Sequence, residues 1–519
     1  MGILDKIRTT MGSLLTLLVV FFSACMIWAV RTMLKLAPTS QAQTLANFSQ
    51  RETWLLAGVF IVGWGLFALL VTYLPDKKGI WLLLIGLILL LGIGLRLYWI
   101  YKVPSQRFSD FKTLYRDSVY FSQGDRSFND DNYLLSYPYQ NGFIMYQSLL
   151  IRIFGPSPLA LKLVNVFMAS LTMLALFGIV HRLFNKRVAA LVMLAFATFL
   201  PNIFMITVLT NQYASLAFNL IGLYLFIAKN HKWSWLLCSG FFLALGNTLR
   251  PVGALILLAV GLGYLCFLLR KRTFWRGLIG MVCIMIGYFG MLSAVNGYIR
   301  YTGLSEYPMG NRNATWKFVT GLNSQSKGRY VGPLAGVLDE YPIGPKRDAV
   351  GKKLIKQELK DKQKVKQLFI DKYQLMWGDY DESIDWSLTP NVRISNQHRR
   401  FLAQAMWGQW VALILSMTLG ALALFWAKLR RKLPYHNKIF IFELLFVGYV
   451  LIHFAIEIQT RYRFFITPEI TTFAMLGIWS LIQLIFKRDS EALSGTKEDQ
   501  TFMKQAPIYD PYTWRKFYR

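Results

Sequence analysis

Acidic residues are scarce in this chain: 27 Asp and Glu stand against 57 Lys and Arg in 519 residues. Cysteine is scarcer, and Cys25, Cys238, Cys266 and Cys283 all fall inside apolar blocks. That placement excludes a disulfide framework and a thiolate metal cluster. No His-Glu-x-x-His, Gly-x-Gly-x-x-Gly or Gly-x-x-x-x-Gly-Lys-Ser/Thr spacing occurs, so a zinc protease and an ATP-driven pump have no support. What abounds is apolar sequence, 55% of residues with a mean hydropathy of +0.38. It is gathered in blocks of roughly 18–22 residues, the length that crosses ~30 Å of hydrocarbon. In such a protein the net charge of +30 reads as basic cytoplasmic turns on anionic lipid, and nucleic acid is not an expected partner.

Twelve spans are expected, near 11–30, 54–74, 80–101, 159–184, 188–206, 211–228, 233–249, 251–269, 276–297, 407–427, 439–457 and 464–486. Pro201 and Pro251 break the 188–269 stretch. Lys6 and Arg8 precede the first apolar run, which has no clear cleavage site and reads as a retained anchor. The pairs Lys77-Lys78, His181-Arg182, Lys186-Arg187 and Arg270-Lys271, with Lys229, Lys232, Arg276, Lys428 and Arg430, fall on one side when the spans alternate. The positive-inside rule therefore puts both termini in the cytoplasm and the 102–158 and 298–406 segments outside. The expected division is a two-helix membrane hairpin (1–78), a membrane core (79–297) with its first outer loop (102–158), an extracytoplasmic loop domain (298–406), C-terminal spans (407–487) and a polar cytoplasmic tail (488–519).

The outer loops carry periodic patterns. Phe111, Leu114, Tyr115 and Val119 recur at helical spacing, with Ser109 placed to cap the start. Residues 137–155 suggest an aromatic-rich interfacial helix. Residues 346–376 read as one charged helix with Leu354, Ile355, Leu359, Val365, Leu368 and Phe369 facing inward.

Few side chains in this pattern suit chemistry. Asp110 falls in the first turn of the expected 109–123 helix, where the helix dipole favours its ionised form. There it reads either as a proton acceptor for an attacking hydroxyl or as a plain complement to the dipole. Asp117, Asp125, Asp130 and Asp131 in the same loop read as solvated charges. Arg250, Arg461 and Arg463 lie at outer span ends, where guanidinium forks suit a phosphate and where many arginines merely snorkel. Glu457, four residues before Arg461, is placed to pair with it. Arg96 lies inside the third span, a position that usually faces a cavity or a partner. His453 reads as packing, and Asn47-Phe-Ser49 and Asn313-Ala-Thr315 match the glycosylation sequon only as short patterns.

Four stretches carry a resemblance. Ser109-Asp110-Phe111 followed by Tyr137-Pro-Tyr-Gln-Asn-Gly-Phe143 and Phe154-Gly-Pro-Ser157 is one; Leu249-Arg250-Pro251 is the second. Trp316-Lys-Phe-Val-Thr-Gly-Leu-Asn323 with Gly328, and Glu457-Ile-Gln-Thr-Arg461-Tyr-Arg463 with Pro468, complete the set. In order and placement these resemble the GT-C superfamily of polytopic glycosyltransferases, and most closely the dolichyl-phosphate-mannose protein mannosyltransferase-like group of Gram-positive bacteria. The likeness covers roughly residues 80–486, and the first two spans look like an addition.

The resemblance implies an all-α GT-C-like membrane fold and an inverting transfer of a sugar from a polyprenyl-phosphate-linked donor. The acceptor would be extracytoplasmic: a cell-wall polymer, teichoic acid, glycolipid or protein. By resemblance Asp110 acts as general base, and Arg461, Arg463 and Arg250 bind the lipid phosphate. Arg96, Asn211, Gln212, Asn323, Glu457 and Tyr462 are candidates for the donor or acceptor site. No cofactor is expected and no divalent metal is indicated, because a second acid that many relatives carry in a short outer turn is replaced here by Asn211 and Gln212. The rival readings are a transporter or flippase for lipid-linked glycans and a polysaccharide polymerase or ligase.

Overall fold

The computed structural model describes residues 3–37, 48–229, 232–268, 274–389, 391–430 and 438–486. Among them there is no β-strand. The chain is an all-α polytopic membrane protein, and an apolar helix stands at each expected span: α1 (Ile3–Leu36), α2 (Gln50–Tyr73), α3 (Lys78–Lys102), α4 (Pro158–Leu183), α5 (Lys186–Ala197), α6 (Gln212–Lys229), α7 (Trp233–Leu249), α8 (Gly253–Gly263), α9 (Phe274–Tyr301), α10 (Asn396–Leu429), α11 (Phe440–Ala455) and α12 (Thr467–Ile485). Seven, α1 to α4 with α9, α10 and α12, are long and apolar enough to cross a membrane, while α6, α7, α8 and α11 are shorter. α5 reaches spanning length only together with Leu200–Thr207, across a bend of 51°.

That bend explains Arg96. A broken helix leaves backbone groups without intrahelical partners, and in a membrane interior these must be satisfied from within. Arg96 donates to the carbonyls of Gly92 (2.8 Å) and Ala197 (3.0 Å) and to Asn202 Oδ1 (2.6 Å). Gln409 from α10 completes the repair, accepting from Leu200 N at 2.8 Å and donating to Thr198 O at 2.9 Å. Arg96 is thus fully buried and holds the break together.

The first two helices are integral to the bundle. α1 packs on α10, α11 and the helix Lys362–Gly378, and α2 packs on α10 and α12. Lys428, counted above with a basic turn, is buried instead: its ammonium meets Glu443 at 2.8 Å, and Thr16 of α1 donates to the same carboxylate. Of that turn and the Arg270-Lys-Arg272 turn, residues 431–437 and 269–273 lie outside the described residues, as do Asn47 and the 488–519 tail.

α1 and α10 have 34 residues each, about 51 Å at 1.5 Å per residue. The ~30 Å hydrocarbon layer is shorter than either helix, and Lys362–Gly378 packs against both. Tyr373 donates to Phe22 O at 2.6 Å, and the indoles of Trp407 and Trp410 donate to Gly378 O and Trp377 O. The expected single 346–376 helix is two, Pro345–Glu358 and Lys362–Gly378. Asp361 caps the second through Gln363 N and Lys364 N, so the chain turns between them and Leu359 is left exposed rather than inward.

Candidate active site

On the face of the bundle that carries the 102–158 and 298–406 segments lies a cavity of about 1060 Å³. Its walls are the first turn of Ser109–Ser122, the tyrosine-rich 133–140 stretch, the α7–α8 turn at Arg250, the α11–α12 turn at 457–462, and parts of the long loop around Lys317 and Arg347.

The first wall presents Asp110. Phe108, not Ser109, takes the cap position, and it makes no side-chain cap bond. Ser109 has already entered the helix with φ at 52°, a left-handed conformation that costs an L-residue roughly 1–2 kcal/mol. Local strain of this kind gathers at functional sites. Asp110, in the first turn, lines the cavity. Of the other loop acids, Asp117 is a correction: it is buried against Arg116 at 2.8 Å. Asp125 and Asp131 accept from Ser127 N and Tyr133 N.

The α11–α12 turn is a 3-10 helix, Thr460–Phe465. Tyr449 fixes its backbone by donating to Tyr462 O at 2.6 Å, and Gln212 by donating to Arg461 O at 3.3 Å. The expected contact between Glu457 and Arg461 runs through Gln459. Arg461 Nε donates to Gln459 Oε1, and Gln459 Nε2 donates to Glu457 Oε1 at 2.6 Å. Tyr462 donates to the other Glu457 oxygen at 3.2 Å. The Arg461 guanidinium lies 3.9 Å over the Trp386 ring and 5.7 Å from that of Phe111, the residue after Asp110.

Arg250 follows α7 in extended conformation, as a residue before proline must. It donates to Asn211 Oδ1 at 3.3 Å, and its guanidinium lies 5.4 Å from Tyr462 and 5.2 Å from Phe465. A third cation, Lys317, arrives from the long loop. Glu457 N donates to Lys317 O at 3.0 Å, an approach that needs glycine at 321, where a Cβ would come within 2.2 Å of Ile456 backbone.

Arg250, Arg461 and Lys317 form no ion pair within 4 Å among the described residues. Burial holds the Lys317 ammonium below its ordinary pKa; Arg250 pushes it further and Glu457 opposes. Burial likewise lowers Arg461, with Arg250 adding to the effect and Tyr462 and Asp110 opposing it. Tyr139 is pushed up to about 12 by burial and by the charges of Asp110 and Glu457, against the pull of Arg250. Its phenol therefore stands among both acids and Arg250, and the Lys317 ammonium lies 5.8 Å from its ring centre.

Asp110, Asn211, Arg250, Glu457, Arg461 and Tyr462 all line the one cavity. The other candidates do not. Arg463 is buried on the far side of the turn, donating to Met376 O (2.6 Å) and Asp379 O (2.7 Å) with its guanidinium over Trp410. Asn323 bonds Glu358 at 3.0 Å within the loop domain; Gln212 supports the turn and Arg96 the helix break. Asn313, which matches a sequon, is a buried cavity residue. Lys317 and Trp386 carry no assignment from the sequence. His453, expected as packing, also lines the cavity, and its Nδ1 lies 2.7 Å from Tyr449 O. Among the described residues no three His, Cys, Asp or Glu side chains converge, so no set is assigned to a metal.

Residues 143–293 match the family model of dolichyl-phosphate-mannose-protein mannosyltransferases. Among solved structures the chain is similar to the oligosaccharyltransferase of Archaeoglobus fulgidus in complex with Zn and sulfate, at 12% identity and a TM-score of 0.46, over 82% of this chain and 51% of that one. The same enzyme tethered to an acceptor peptide containing the NVT sequon scores 0.31 at 13% identity, over 76% of this chain and 55% of that one. This chain thus spans about half the length of the solved structures it matches, and likenesses this distant carry no argument on mechanism. No curated protein matches the chain.

Proposed function

From a segment, 143–293, that matches a mannosyltransferase family, and a cavity that gathers Asp110 with three unpaired cations, we propose a membrane glycosyltransferase of GT-C type. It takes a sugar from a polyprenyl-phosphate-linked donor and places it on an extracytoplasmic acceptor. The observation that carries this reading is the set Arg250, Arg461 and Lys317. Like charges that repel one another in a part-buried cavity, with no carboxylate paired to them, are arranged for an anion. A phosphate monoester fits two guanidinium forks and an ammonium.

The lipid part of the donor has a place as well. Val252 and Leu255 beside Ile452 and Phe465 form an apolar flank of the cavity where α8 meets α11. Leu258 and Leu451 near them are exposed, which opens that flank sideways to lipid. With the phosphate on the cations, the anomeric carbon points toward Tyr139 and Asp110. An acceptor hydroxyl attacks that carbon from the face opposite the phosphate, Asp110 takes the hydroxyl proton, and the carbon–oxygen bond to phosphate breaks with its electron pair leaving on the phosphate. The configuration inverts. The cations stabilise the charge that builds on the departing group, usually the dominant contribution to rate in such a site. Glu457, Gln459 and Tyr462 act as positioning residues for Arg461.

The test is incubation of the purified full chain with radiolabelled polyprenyl-phosphate sugar and cell-envelope fractions. Label appearing in a defined envelope component supports transfer. Label that crosses a proteoliposome membrane still attached to its lipid supports the flippase reading instead.

A further inference from the structure

The cavity is larger than the donor end needs, and its outer wall is built differently from the cation cluster. Four rings run outward from the reaction end: Tyr139 to Tyr137 at 6.0 Å between centroids, Tyr137 to Trp316 at 5.9 Å, and Trp316 to Tyr330 at 6.1 Å. All four line the cavity. Beside them stand three polar atoms shut off from solvent and without a hydrogen-bond partner: Asn313 Oδ1, Trp316 Nε1 and Arg347 Nη1. Asn313 and Arg347 are 3% and 5% exposed. The rest of each side chain is engaged. Arg347 meets Asp339 at 3.2 Å and donates to Tyr341 O at 2.8 Å, while Asn313 Nδ2 donates to the Tyr137 hydroxyl at 3.4 Å.

An orphaned buried polar atom costs about 1–3 kcal/mol; three of them along one wall of a cavity require a common explanation. Two are donors and one is an acceptor, and they flank a file of aromatic rings. A pyranose has matching chemistry: C–H faces that rest on aromatic rings, and an equatorial edge of hydroxyls that both donate and accept. Building on the reading above, we infer that this outer chamber is an acceptor subsite for a saccharide. Its terminal ring rests on the cavity side of Tyr137 and Trp316, which touch each other edge to face. Its hydroxyl edge is turned to Asn313, Trp316 Nε1 and Arg347, whose side chains shift to open these atoms to it. The acceptor class is therefore a glycan, with the attacking hydroxyl directed along the file toward Tyr139 and Asp110. An extended peptide is the competing occupant, and the test separates the two.

The full-length protein in detergent is titrated, by calorimetry, with a panel of tetra- to hexasaccharides and with a Ser/Thr-containing peptide of equal mass; decaprenyl phosphate is titrated into the same samples. Trp316→Phe keeps the ring and removes the indole N–H, and Asn313→Ala removes the acceptor. Saccharide binding that each variant weakens about tenfold or more, with decaprenyl phosphate binding unchanged, supports the inference. Saccharide binding equal in wild type and both variants overturns it, as does peptide binding that both variants weaken. Absence of saccharide binding alongside normal decaprenyl phosphate binding overturns this inference alone. Loss of both ligands in a protein that melts normally overturns the donor reading with it.

Discussion

Replacing Lys317 by methionine should move stability and ligand affinity in opposite directions. The side chain is near in volume to lysine but carries no charge. In the unliganded protein Lys317 is a part-buried ammonium disfavoured by burial and by Arg250. At a separation on the order of 10 Å and an effective dielectric constant of about 20, that repulsion is ~1.7 kcal/mol. In a chain this long, removing it should raise the melting temperature by about 1–3 °C. With a phosphate bound, the same charge contributes. At about 5 Å and the same dielectric constant the attraction is ~3 kcal/mol, so decaprenyl phosphate should bind about 30–300-fold more weakly. Thermal unfolding in detergent gives the first number, and titration of the lipid phosphate gives the second. A variant that melts lower than wild type, or one that keeps its affinity, would refute the claim that Lys317 belongs to an anion site.

Other substitutions separate the site from its scaffold. Arg463→Met should destabilise the fold by about 2–4 kcal/mol, since the buried carbonyls of Met376 and Asp379 lose their donor; donor affinity measured below the melting transition should not change. Glu457→Gln keeps the shape but presents an amide N–H to Gln459 or Tyr462 in place of an acceptor. It should lower kcat/KM for the donor about tenfold through Arg461, with melting nearly unchanged, as steady-state kinetics would show. Lys372 donates to the carbonyls of Gly321, Phe454 and Ile456, and burial holds it down to about 7 from 10.5, with Glu457 opposing. The unfolded chain keeps this proton at pH values where the folded one has shed it, so stability rises as pH climbs from about 7 toward 10. The melting temperature of wild type should therefore rise relative to that of Lys372→Met over that range; a constant offset would contradict the assignment.

The spans are legible because an apolar run of membrane length has few other readings, and even the broken α5 announces itself through Pro201. The site is legible in part. Asp110, Arg250, Glu457, Arg461 and Tyr462 sit beside span ends, and span ends on one face must lie near one another. Arg463 misleads because the turn is a 3-10 helix. At three residues per turn, residues two apart point about 120° away from each other, so one arginine faces the cavity and the other the bundle. Lys317 is out of reach for a different reason. Its segment touches the α11–α12 turn through a backbone hydrogen bond and the close approach at Gly321, which leave no periodic trace. The need of Arg96 for partners follows from its place in a span, but two of them, Ala197 O and Asn202 Oδ1, lie at a bend whose angle no residue pattern encodes.

Transfer by Asp110→Asn tests the chemistry at its centre. The amide matches the carboxylate in shape and cannot take a proton, so label transfer from the polyprenyl-phosphate sugar to envelope acceptor should fall by about 10²–10⁴-fold. Binding of decaprenyl phosphate and the melting temperature should stay at wild-type values. Transfer at the wild-type rate in that variant would contradict the assignment of Asp110 as the base.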